Sequence, residues 1–223
     1  MSSSVKPRAY RSTARAESSA ATRARIVAAA RDLLAERGYA ATPVAEVARR
    51  AGVSVDTVYA SVGRKPELVL AAVDAILGEG RGPVPAEQRD YVAVIQATPG
   101  GRGKLAVYAA ALGRLMPSVA PLLRTLARAG EDDSACAAAW RAVDERRAAN
   151  MLTFAADLRS TGELRPGLTD EDVAALVWST NSWEYADLLA RRGIGGEAYV
   201  AFLTDLWVRA LLEPSAPRGA KPG

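Results

Sequence analysis

The side chains in this sequence that could do chemistry are few in kind. Histidine is absent and Cys136 is the single cysteine. That removes the commonest general base, the commonest transition-metal ligand and any intramolecular disulfide. No nucleophile is spaced beside a base, and Gly100, Gly101 and Gly103 follow no strand, reading as a turn rather than a phosphate cradle. No enzyme activity, metal or cofactor is therefore expected. What remains is hydrogen bonding and charge, of the kind that Ser54, Asp56, Thr57, Tyr59, Ser61 and Lys65 carry within one stretch of helix-turn-helix spacing.

Two short helices must position those residues. Thr42-Pro43 is a helix start, with Thr42 read as the cap and proline at the first helical position. Gly52 suits the left-handed turn that ends this helix, and Ser54 caps a second helix running to about Val62. Ala48 is small where the second helix must cross, while Val47, Val53 and Val58 fill the wedge. A helix with Ile26, Val27, Ala30, Leu33 and Leu34 on one face precedes the pair. Another, opening at Lys65-Pro66, follows it. The spacing is that of a helix-turn-helix, and an ordinary helical hairpin is the competing reading.

In order and spacing, Thr42, Val47-Ala48, Ala51-Gly52-Val53-Ser54, Thr57-Val58-Tyr59 and Lys65-Pro66-Glu67-Leu68 resemble the TetR-family DNA-binding signature over residues 22–77. The resemblance implies an all-α protein: an N-terminal three-helix helix-turn-helix DNA-binding domain and a C-terminal helical bundle for dimerisation and ligand binding. In such modules the second helix enters the major groove, so Ser54, Val55, Asp56, Thr57, Ala60 and Ser61 would face base edges. Thr42, Tyr59 and Lys65 would hold phosphates by the same resemblance. Asp56 has two readings, accepting from a cytosine amino group or supporting its helix N-terminus. The family often carries larger, often aromatic, residues at Ser61 and Val62, so this sequence implies looser packing beneath the second helix.

The chain has 223 residues, 49% hydrophobic, with a formal charge of +4 and a pI near 9.4. That balance favours an anionic partner, although the arginine and alanine bias also fits genome composition. Residues 1–21 read as a flexible basic arm, either reaching a minor groove or doing nothing. Residues 22–80 read as the DNA-binding domain, 81–213 as the helical ligand-binding and dimerisation domain, and 214–223 as a disordered tail. Helices are expected at 86–97, 104–129 (broken or kinked at Pro117 and Pro121), 134–161, 170–192 and 197–212. No apolar run or leader suggests a membrane partner, and a cytoplasmic location is expected.

The last two expected helices are strongly apolar. One carries Val173, Leu176, Val177, Leu188 and Leu189; the other carries Tyr199, Phe202, Leu203, Leu206, Trp207 and Leu211. These stripes serve either a homodimer interface, as the resemblance implies, or the subunit's own core. Trp140, Arg147, Asn150, Met151, Phe154, Trp178 and Asn181 combine apolar walls with polar handles, the composition of a small-ligand site. Arg147 could instead pair with Asp144 or Glu145, and the tryptophans and Met151 could be plain core. The expected function is a dimeric repressor released from a pseudopalindromic operator in double-stranded DNA by a small organic effector. A constitutive DNA-binding regulator, its C-terminal domain serving only dimerisation, is the alternative.

Overall fold

The computed structural model describes residues 8–78 and 84–214, with side chains described from residue 16. Among the described residues the chain is all-α, and the lone extended pairing is a bridge between Leu164 and Leu212. Two compact units form. The first comprises Met1–Pro83 with Pro121–Ala139, and the second Val84–Ala120 with Trp140–Gly223.

In the first unit, α1 (Arg8–Arg37) packs against α2 (Val44–Ala51), α3 (Val55–Ser61) and α4 (Lys65–Leu77). Ile26, Leu33, Val47, Val58, Leu68 and Val69 are buried at the centre. Because α1 starts at Arg8, most of the expected flexible arm is helical. From Arg8 to Arg37 the sequence contains neither glycine nor proline and is rich in alanine and arginine, so propensity extends the helix beyond its apolar face. Met1–Pro7 and the tail beyond Pro214 lie outside the described residues.

The second unit takes α5 (Asp90–Ala97), α8 (Asp170–Thr180), α9 (Trp183–Ala190) and α10 (Gly196–Leu211). Both α6 (Gly101–Ala129) and α7 (Ser134–Arg159) contribute to each unit. Three expectations are corrected here. α6 runs unbroken through Pro117 and Pro121, because Leu115, Met116, Val119, Ala120, Leu122 and Leu123 are buried on either side. Their burial outweighs the loss of two helical hydrogen bonds. Gly101 and Gly103 belong to the first turn of α6, where a Cβ on Gly101 would lie 2.9 Å from the Leu212 side chain. The helix expected over 170–192 breaks at Asn181-Ser182: Asn181 ends α8, and the Ser182 hydroxyl accepts from the Tyr185 N–H to start α9.

By length and apolar composition α6 could cross a membrane, yet half of that apolar stretch is buried in the fold, as in the core helix of a soluble protein.

Candidate nucleic-acid interface and ligand-binding centre

The steep α2–α3 turn is made by the features its sequence suggests. Gly52 adopts φ 67°, Val53 N–H bonds to the Ala48 carbonyl at 3.0 Å, and Ala48 and Val58 are buried between the helices. Ser54 Oγ accepts from Thr57 N–H at 3.1 Å and lies 2.8 Å from Thr57 Oγ1, so the start of α3 is capped by Ser54. Asp56 and Ala60 are exposed, and Val55, Thr57 and Ser61 are half-buried. Asp56 has no side-chain partner among the described residues, so its carboxylate is available at the surface. The other end of α3 is tied by Arg23, whose guanidinium donates to the Ser61 carbonyl.

The three expected phosphate ligands fare differently. Tyr59 is 48% exposed. Lys65, at the first turn of α4, places its ammonium 4.2 Å from the centre of the Tyr39 ring, and partial burial lowers its pKa. Thr42 is buried, its hydroxyl donating to the Gly38 carbonyl at 2.7 Å and the Leu33 carbonyl at 3.2 Å. The expectation that Thr42 caps α2 is corrected: the cap position is Pro43, without a side-chain bond. Its hydroxyl fastens the α1–α2 turn and is already spent, which removes the basis for a phosphate contact from that oxygen. Exposed Arg64 precedes Lys65 and has no ion-pair partner among the described residues.

Tyr39 also lies 3.0 Å from the Cys136 sulfur through its hydroxyl. Burial is the first cause that raises the pKa of each, and Cys136 is fully enclosed. A thiol held this way is a poor candidate for an intersubunit disulfide.

In the second unit, five of the expected ligand residues converge. Arg147 donates to Asn181 Oδ1 at 2.5 Å and the Trp178 carbonyl at 2.9 Å, while pairing with Asp144 at 3.0 Å. Asn181 Nδ2 donates to Tyr108 Oη at 2.7 Å and reaches the Met151 sulfur at 3.1 Å. Phe154 meets the Tyr108 ring edge-on at 5.1 Å. Trp140 packs edge-on against Trp183, and Asn150 is half-buried without a hydrogen bond among the described residues. The sequence reading missed Tyr108, on which Trp207 stacks at 5.6 Å and Tyr91 at 6.3 Å. Their spacing on α5, α6 and α10 carries no signal that the three rings meet.

Residues 26–72 match the model of a family described as bacterial regulatory proteins, tetR family. The chain carries a TetR-family DNA-binding domain. Solved structures extend the likeness in fold along most of the chain. A protein from Rhodococcus sp., described as a TetR-family transcriptional regulator, is 19% identical with a TM-score of 0.65, over 83% of this chain and 95% of its own. FadR from Bacillus subtilis, in complex with stearoyl-CoA, is 16% identical with a TM-score of 0.62, over 82% and 96%. SmeT, solved with triclosan, is 17% identical with a TM-score of 0.62, over 91% and 98%. No curated protein matches by sequence.

In this domain, α3 is the second helix of the helix-turn-helix and α4 follows with Lys65 at its N-terminal turn. Two residues missed from the sequence support that surface without belonging to it: Arg23 fixes the end of α3, and Tyr39 seats Lys65. Among the described residues no group of three or more potential metal ligands comes together.

Proposed function

We propose that this chain is a homodimeric transcriptional regulator that binds a pseudopalindromic operator and is released by a small organic effector. The observation that carries the DNA-binding half is the surface formed by α3 and the start of α4. Asp56, Ala60 and Tyr59 are exposed there, next to a cationic Arg64-Lys65 pair at a helix N-terminus. Ser54, Val55, Asp56, Thr57, Ala60 and Ser61 read bases; Tyr59 and Lys65 hold phosphate.

Dimerisation is supported by the two apolar faces of α10. Tyr199, Leu203, Trp207 and Leu211 point into the unit's own core, while Phe202 and Leu206 line an open cleft of about 310 Å³ with Asp205, Arg209 and Ala210. Effector binding is supported by the buried polar and aromatic cluster of Tyr108, Arg147, Met151, Phe154, Trp178 and Asn181, and solved relatives of the same fold hold organic ligands. To drive release, the effector must bind the DNA-free state more tightly than the DNA-bound state.

The test is selection of bound DNA from a random pool, followed by affinity measurements over a range of salt. Lys65→Ala should weaken every sequence about equally and reduce the salt slope by about 1, whereas Asp56→Ala or Thr57→Ala should change the selected sequence. A shifted preference with an intact salt slope in Lys65→Ala would overturn this division. Operator release is then screened with organic compounds and with divalent metals, alongside Cys136→Ser. Release by stoichiometric metal, or loss of regulation in Cys136→Ser with normal DNA binding, would contradict an organic effector. If no compound alters operator affinity, the second unit serves assembly alone.

A further inference from the structure

We infer that the effector is a neutral or anionic organic molecule whose hydrogen-bond-accepting oxygen takes the place now held by the Met151 sulfur. This names the ligand chemistry of the effector site proposed above and rests on that reading. The argument begins with Asn181. Because Arg147 can only donate, the carbonyl oxygen of the Asn181 amide must face it at 2.5 Å, which turns the amide nitrogen toward Tyr108 and Met151. Tyr108 Oη accepts from that nitrogen, so its own proton is left to point at the same sulfur, 3.7 Å away.

Two buried donors thus converge on a thioether, one of the weakest acceptors a protein contains. Tyr108, Met151 and Asn181 are each at least nine-tenths buried, so bulk solvent does not reach the donors. Met151 is also the most easily displaced side chain in the group, being unbranched and free to turn about its long stem. Around it the Phe154 and Trp207 rings pack on Tyr108 and supply apolar walls.

The surplus of donors extends beyond this triangle. The Trp178 indole N–H, a donor only, and Tyr199 Oη, which can donate or accept, are buried without a hydrogen-bond partner among the described residues, and Tyr199 itself is only 4% exposed. The carboxylate nearest to this network in bonding terms, Asp144, is already paired with Arg147. Two donors aimed at one weak acceptor, beside a guanidinium, select for oxygen acceptors and against ammonium groups. A site built to donate rejects an analogue without the acceptor far more strongly than an apolar wall rejects a change of shape.

The experiment uses three probes of similar size: cyclopentanone, methylcyclopentane and the pyrrolidinium cation. Each is titrated against the full chain, against Met151→Ala, and against Met151→Ala combined with Tyr108→Phe, with thermal shift and tryptophan fluorescence as readouts. Helical circular dichroism and operator binding establish that each variant folds, and Met151→Val replaces Met151→Ala if the latter does not. Met151→Ala should bind cyclopentanone at least tenfold more tightly than methylcyclopentane, with pyrrolidinium weakest. Adding Tyr108→Phe should cut that preference several-fold. Equal or tighter binding of methylcyclopentane, preference for pyrrolidinium, no binding of any probe, or a preference insensitive to Tyr108→Phe would each overturn the inference. Operator affinity is measured separately: cyclopentanone binding with the expected preference but no change in operator affinity would uphold the ligand chemistry and sink effector release.

Discussion

Lys104 is one of four lysines in the chain and is only 4% exposed. Its ammonium donates to the carbonyls of Ile95 and Gln96 at 3.0 and 3.2 Å, in the last turn of α5, and lies 2.9 Å from an Asp157 oxygen on α7. One cation therefore completes the end of one helix and joins it to two others. Lys104→Met keeps the aliphatic stem but strands the carboxylate and both carbonyls. Breaking such a buried pair should cost about 3 kcal/mol, read as a lower midpoint in urea denaturation. A midpoint within error of the parent would show that Asp157 is solvated enough to stand alone. Legibility in the sequence differs sharply between residues of this kind. Ser54 and Gly52 could be read because capping and left-handed turns depend on a few neighbouring positions. Lys104, Tyr39 and Tyr108 could not, since each is defined by partners tens of residues away: Asp157, Cys136 and Asn181. The cap expected of Thr42 has the wrong partner, because its hydroxyl turns back to the Leu33 and Gly38 carbonyls instead of forward to α2.

At the scale of elements, α6 and α10 meet where Gly113 lies under Val200: a Cβ at position 113 would stand 2.4 Å from Val200 Cγ2. Alanine in a helix interior is favoured over glycine by about 1 kcal/mol, but overpacking against a stiff β-branched side chain costs about 1–3 kcal/mol. Gly113→Ala should therefore destabilise the chain on balance, and Val200→Ala in the same background should restore thermal stability by removing the contact. Failure of the double variant to recover would place the strain elsewhere. Another element-level device is the acidic hub on α2. The hydrogen bond from Arg49, with Arg37 close by, holds the Glu46 carboxyl at about 2, below its ordinary 4.5. A depressed folded pKa stabilises above the unfolded value and is lost as pH falls, so this contribution is complete above about pH 4.5 and gone near pH 2. Glu46→Gln should flatten the acid limb of a melting-temperature profile in that window, only slightly because Arg37 and Arg49, its partners, lie at the surface where solvent and salt screen the pairs. The helices themselves were legible because apolar periodicity and caps are local. The break at Asn181-Ser182 was not, since apolar positions continue through it and the hydrogen bond from Arg147 that accompanies it comes from another helix.

For the whole molecule, the apolar stripe of the last helix was legible but its division between core and surface was not. Periodicity gave Tyr199, Phe202, Leu203, Leu206, Trp207 and Leu211 one undivided list, and only the packing sorts them. Leu203, Trp207 and Leu211 are essentially inaccessible, whereas Phe202 is 39% exposed. Phe202 and Leu206 are one helical turn apart and so share a face, flanked by the Asp205–Arg209 pair at 2.7 Å. Two such faces related by a two-fold axis would bury each other's aromatic and aliphatic side chains and set charge at the rim, which is the anatomy of a self-complementary interface. We predict that the chain is a dimer in solution and on DNA, and that Phe202→Glu, which places like charges opposite each other across the axis, shifts it toward monomer. Because Phe202 does not support the internal core, the variant should keep its helical circular dichroism and its thermal unfolding transition when measured at the low concentration where the parent is also monomeric. Operator affinity should fall by the loss of paired half-sites, while contact with a single half-site persists. In the dimer, the half-site centres should lie one helical turn apart, ~34–36 Å, or a multiple of it. Sedimentation equilibrium of both proteins, with footprinting on a selected operator, checks all of this. A parent chain that sediments as a monomer at micromolar concentration and protects a single half-site would remove the dimer and the pseudopalindrome together.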